Sequence, residues 1–182
     1  ECHFRNIRIK ELPSTDPPAS QVADEDQGFV SLYTGLDLRG WKFGPENKPH
    51  WQPKDWILEH DGKEEGRATM LATERSFSDF EFILDWRLVG DANAKDNDIG
   101  ARSNGIHLPI AMVPFGPYPN AKPRGQWNRF VITVRGNEYS VRLNDKVVMD
   151  KLEGSGPLTG GIGLRHAGAP IQFANIYIRE LK

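Results

Sequence analysis

Asp85 and Arg87 stand two residues apart in DFEFILDWRLV (79–89). In an extended chain that spacing puts both side chains on one side, about 6.5–7 Å apart. Such a pair supports either a shared contact to a polar ligand or a surface ion pair worth under ~1 kcal/mol. Asp85, His107 and His166 are the catalytic candidates, with Glu81 and Asp98 as further acids. An imidazole titrates near neutral pH and suits a general base. Arg87, Arg102, Asn104 and Arg165 supply fixed donors for a ligand, and Trp127 a ring to stack on it. No clear second carboxylate stands beside Asp85, so acid–base work by a carboxylate pair ranks below a histidine base. His107 lies before Leu108-Pro109 in an apolar run, which also suits a half-buried structural histidine. Arg165 and His166 face opposite ways in a regular strand, so at most one lines a given face. No His-Glu-x-x-His metal motif is present.

The elements that must hold these groups read as short strands. In 79–89, Phe80, Phe82, Leu84, Trp86 and Leu88 share one face, and Glu81, Ile83, Asp85, Arg87 and Val89 the other. Alternation then turns Trp86 into the core and Asp85 and Arg87 outward. GFVSLY (28–33) is a compact apolar run. DWILEHDG (55–62) ends in an Asp-Gly turn, with RATMLAT (67–73) as its hairpin partner. RFVITVRG (129–136) and EYSVRLND (138–145) join at Gly136-Asn137, and Asn144-Asp145 turns into KVVMD. GIGLRH (161–166) and PIQFANIYIREL (170–181) close the chain. No stretch shows helical periodicity with caps. Many short strands between turns predict an all-β sandwich.

The two ends repeat each other. CHFRNIRIKEL (2–12) and IQFANIYIREL (171–181) are identical at six of eleven positions. In both, the alternation slips between the Phe and the first Ile, as a bulge near the Asn would produce. Residues 1–12 therefore read as a terminal strand of a preceding similar domain, or as an edge strand. PSTDPPASQVADEDQ (13–27) is a linker by composition, and the folded domain runs over 28–182. A net charge of −2 gives no footprint for nucleic acid, and no apolar run reaches the ~20 residues of a membrane span. The single cysteine, Cys2, excludes an internal disulfide. The chain begins with Glu1 and shows no signal-peptide pattern, as expected of a processed or excised piece.

Four segments, in order, resemble the 3-keto-disaccharide hydrolase domain family. GFVSLYTGLDLRGWK (28–42) resembles its opening strand, Gly-x-Asp-Leu turn and Gly-Trp. DFEFILDWRL (79–88) resembles its Phe-x-Leu-x-x-Glu-Trp-Arg strand. GQWNRFVITVRGN (125–137) and GGIGLRHAGAPIQFANIYIREL (160–181) resemble its Gly-Glu-Trp-Asn segment and closing strands. The resemblance implies a concanavalin-like jelly roll of two antiparallel sheets, with the cleft on the concave side that Asp85 and Arg87 face. It also implies an exported bacterial protein, periplasmic or extracellular, and a tandem copy fits the end repeat. The implied partner is an oligosaccharide or glycoside, with a divalent metal admitted but no cofactor required. The implied chemistry is cleavage of 3-keto-disaccharides: the ketone acidifies a neighbouring C–H, a base removes it, and the glycosidic oxygen leaves. The sequence departs from the family where a site should be. His107 stands where the family has an acid, Arg165 stands where it has Gln, and its His is placed differently from His166. Loss of the acid favours a rival, a non-catalytic carbohydrate-binding module, with a structural spacer behind it.

Overall fold

In this computed structural model the described residues are 27–45, 48–63, 70–90, 104–165 and 168–182. They form thirteen strands and one 3-10 turn, Lys48–His50, in two antiparallel sheets. The strands in chain order are β1 (Val30–Ser31), β2 (Trp41–Lys42), β3 (Trp51–Lys54), β4 (Ile57–His60), β5 (Met70–Thr73), β6 (Phe80–Leu88) and β7 (Gly105–His107). Then come β8 (Met112–Pro114), β9 (Asn128–Arg135), β10 (Glu138–Leu143), β11 (Lys146–Glu153), β12 (Gly163–Arg165) and β13 (Ile171–Glu180). The larger sheet runs β11-β10-β9-β6-β13-β4-β3, with β1 added on β13; the smaller runs β2-β5-β12-β7-β8. This is the predicted two-sheet sandwich.

The inward face of β6 is the expected one: Phe80, Phe82, Leu84, Trp86 and Leu88 are all buried and belong to one core cluster, while on the opposite face Ile83 and Asp85 are covered as well. Phe130, Ile132 and Val134 of β9 and Leu71, Ile106, Val113 and Leu164 of the smaller sheet meet them there. The turns at Gly136 and Asn144-Asp145 adopt the positive φ that tight hairpins need, at 58°, 47° and 71°. The predicted slip in the last strand is a bulge: the β13–β6 register shifts between Ala174 and Tyr177, with Asn175 at φ 48°.

Two expectations are corrected. β4 and β5 do not form a hairpin: β4 pairs with β3 and β13, while β5 pairs with β2 and β12 in the other sheet. The chain therefore passes from the larger sheet to the smaller between β4 and β5. In the run 28–33 only Val30 and Ser31 are strand, because they lie on the edge of β13 and leave it at once. The proposed strand at 1–12 lies outside the described residues, as does the linker at 13–27 apart from Gln27.

Candidate functional site

Apart from Asn104, the described sequence candidates divide between the two outer surfaces of the sandwich. Asp85, Arg87 and Trp127 lie on the outer side of the larger sheet, His107 and Arg165 on that of the smaller. Arg102 and His166 lie outside the described residues, as does Asp98.

Asp85 points away from the hydrophobic core yet is fully buried, a correction to its expected place in an open cleft. Its register partner on β9 is Arg129, whose Nε donates to Oδ1 at 2.5 Å and whose Nη2 donates to Oδ2 at 2.6 Å. Asn175, at the β13 bulge, donates to Oδ2 at 2.6 Å. Both carboxylate oxygens are thus held by a bidentate guanidinium and an amide. The Arg129 backbone is fixed in turn, its N–H donating to Asn144 Oδ1 at 3.0 Å. The expected Asp85–Arg87 partnership is absent from this arrangement.

Arg87 instead enters a chain of side chains across β6, β13 and β4. Its Nε donates to Gln172 Oε1 at 2.7 Å, and Gln172 Nε2 donates to Glu59 Oε2 at 2.5 Å. The guanidinium lies 4.4 Å from the centre of the Trp127 ring. Desolvation lowers the Arg87 pKa and Glu59 opposes that shift. Trp127 is buried beneath this contact, so it serves as packing rather than as an open stacking surface.

On the smaller sheet, Ile106 and Leu164 point into the core, so His107 and Arg165 point outward. Their strands are neighbours: Gly163 pairs with His107, and Arg165 with Gly105 on one side and Met70 on the other. A Cβ placed on Gly163 would come 2.5 Å from Met70 Sδ and 3.3 Å from His107 Cβ. The missing side chain is what lets Met70 lie beside His107. The outer surface there presents Lys42, Met70, His107, Met112 and Arg165, and no carboxylate among the described residues of these strands. Arg165 Nε is shielded from solvent and meets no hydrogen-bond partner among the described residues. Asn104 shares the inward side with Ile106 and is fully buried, its carbonyl accepting from Phe115 N–H at 3.3 Å. Asn104 therefore lines the core side of this sheet, not the surface bearing His107. No group of three or more His, Cys, Asp or Glu side chains able to hold a metal gathers among the described residues.

Two features went unread in the sequence. One is a buried pair of histidines at the β3–β4 edge. His50 Nδ1 lies 3.1 Å from both oxygens of Asp61, and His60, fully buried against Trp51, accepts the Gly62 N–H on Nδ1 at 3.1 Å. Burial pushes the His60 pKa from 6.5 down to about 4, with Asp61 raising it and His50 lowering it. Between those values the unfolded chain binds a proton that the folded chain refuses, so stability rises with pH across that window. Acidification from pH 7 toward 4.5 should cost on the order of 2–3 kcal/mol, at about 1.4 kcal/mol per unit. The urea midpoint measured across that range checks it, and His60→Gln should flatten the slope; a parent midpoint that does not move would remove the claim. The other unread feature is Trp56, half exposed in the two-residue turn between β3 and β4. Its run reads as strand because Trp and Ile are strand formers, and only pairing shows the turn.

The architecture defines the class: a two-sheet antiparallel jelly roll. The solved structures it resembles include a candidate glycosyl hydrolase of Parabacteroides distasonis (16% identity, TM-score 0.67, covering 87% of this chain and 96% of that one). They also include the carbohydrate-binding module CBM66 of Bacillus subtilis (16%, TM-score 0.55, 78% and 96%). A galectin-like protein of unknown function from Bacillus subtilis follows (11%, TM-score 0.53, 84% and 94%). At these identities the likeness shows the fold alone.

Residues 116–179 match the family described as the 3-keto-alpha-glucoside-1,2-lyase-like domain. The chain is also 21% identical over 187 residues to the 3-keto-disaccharide hydrolase of Bacteroides thetaiotaomicron, covering 78% of this chain and 64% of that protein. The resemblance read from the motifs is therefore to a carbohydrate-related, glycosyl-hydrolase-like domain. The chain spans just under two thirds of that relative's length. The matched segment includes Arg165 and stops short of Asp85 and His107.

Proposed function

We propose that this domain acts on glycosides at the outer surface of the smaller sheet, with 3-keto-disaccharides as the substrate class. The observation that carries the reading is that His107 and Arg165 stand diagonally on the same outer face of adjacent strands, beside the side-chain-free Gly163. In a 3-keto sugar the C2–H is acidified by the ketone. An imidazole removes that proton to give an enolate at the C3 oxygen. The enolate collapses to a C1=C2 double bond as the C1–O bond breaks, and the imidazolium returns its proton to the departing oxygen. Water then adds across C1=C2 with its hydroxyl on C1 and its proton on C2. His107 is the base in this scheme, and the Arg165 guanidinium stabilises the enolate oxygen, a contact stronger in the transition state than in the ground state. The described residues of that surface offer no carboxylate pair, which leaves a paired-carboxylate mechanism without support from them. An exported location accords with such a substrate, and no helix among the described residues is long and apolar enough to cross a membrane.

The test is a mass-spectrometric screen of 3-keto-glycosides against their unoxidised parents. Cleavage of the keto sugars alone is expected, falling about 10²–10⁴-fold in His107→Ala, with the melting temperature held. Equal cleavage of the parents, or a fully active His107→Ala, would remove the proposal. A second reading is a carbohydrate-binding module without turnover. It is favoured by Asp85 lying on the opposite surface from His107, so that acid and base do not converge. Binding of the keto sugar with no product would select it.

A further inference from the structure

We infer that the larger sheet carries a second carbohydrate-contact site, separate from His107 and Arg165, in which Trp56 is the platform for one sugar ring. The site exists because β13 changes partners along one edge. It pairs with β4 through Ile171–Phe173 and with β1 through Tyr177 and Ile178, and the bulge at Asn175 falls between. The gap holds a cavity of about 190 Å³ lined by Ser31, Tyr33, Trp56, Asn175, Ile176 and Tyr177. That is below the ~300–1,000 Å³ of drug-sized sites, so it suits one ring and not a chain of them.

The platform is built and held. Trp56 is 50% exposed, while the other four tryptophans are exposed by 7% or less. One side of its indole lies on Gly35, where a Cβ would sit 2.9 Å from the ring. Trp56 follows Asp55, which takes φ 56° at the first position of a two-residue hairpin loop, where glycine is the usual occupant. The Tyr33 hydroxyl clamps that loop, 3.2 Å from the carbonyls of both Asp55 and Ile57. Burial pushes the Tyr33 pKa up to about 12, so it remains a donor. Asn175, on the far wall, is also in the left-handed region and is tied to Asp85. Two strained non-glycine residues thus flank one cavity, and such strain collects at ligand clamps.

The chemistry fits a sugar. A pyranose presents an apolar C–H face to an indole and a ring of hydroxyls to polar groups around it. Ser31 is exposed, donates to the Tyr33 carbonyl at 2.6 Å and accepts from the Tyr33 N–H at 3.3 Å, which leaves an acceptor lone pair. Tyr177 adds a ring and a hydroxyl on the same wall.

Because only Trp56 is open, acrylamide quenching of tryptophan emission reads this site. Methyl α- and β-glucoside should protect the emission in the intact chain, down to the low quenching of buried indoles at saturation. The same protection should persist in His107→Ala and Arg165→Ala, and calorimetric binding at this site should be lost in Trp56→Ala. Three results would overturn the inference: no protection by either glucoside, equal protection by cyclohexanol, or an indole already shielded without sugar. Loss of protection in Arg165→Ala would reduce the two surfaces to one site and overturn it as well. Failure of turnover at His107 leaves the quenching result standing, so the two proposals fall separately.

Discussion

Asp85→Asn is expected to lower the free energy of unfolding by about 3–5 kcal/mol. The carboxylate is fully buried and both its oxygens face Arg129, whose side chain is itself only 7% exposed. Removing the negative charge leaves a guanidinium shut away from water with no counter-charge on its register partner, and that desolvation is the cost. The isosteric amide still offers one acceptor, so the loss comes from charge and not from shape. Replacing both Asp85 and Arg129 with leucine should recover most of the loss, since a buried ion pair often exchanges for apolar residues at little cost. Urea denaturation of the two variants decides it. A loss under ~1 kcal/mol in Asp85→Asn, joined to weaker ligand binding, would instead make the group an accessible functional carboxylate.

Trp86→Ala should cost about 3–5 kcal/mol, the range for truncating a fully buried aromatic. The indole packs 5.2 Å from Phe115 and 5.8 Å from Phe130 between centroids, in the layer between the sheets. Neighbours on β6, β9 and the smaller sheet cannot collapse together into the space, because strand pairing fixes their spacing. Trp86→Phe should cost far less than the volume change alone suggests. The Trp86 Nε1–H is buried and finds no acceptor among the described residues, so phenylalanine removes an unsatisfied donor along with the ring. A denaturant titration that finds Trp86→Phe as damaging as Trp86→Ala would contradict this.

The sequence alone determined the inward face of β6, the hairpins at Gly136 and Asn144, the bulge before Ile176 and hence the sandwich class. Each of these is written in neighbours two residues apart or in the residue types a turn demands, which local sterics enforce. It determined just as well that Asp85 leaves the core, since Trp86 enters it. What it could not carry was which strands lie side by side. Asp85 meets Arg129 only because β6 pairs with β9 in that register, 44 residues along the chain. Arg87 finds Gln172 85 residues away, and His107 shares a surface with Arg165 through β7 and β12. Pairing is settled by the burial of every strand at once, so an outward carboxylate can be open or entombed with the same local pattern. The split of the candidates over two opposite surfaces, and the gap beside β13 that exposes Trp56, are decisions of that tertiary arrangement.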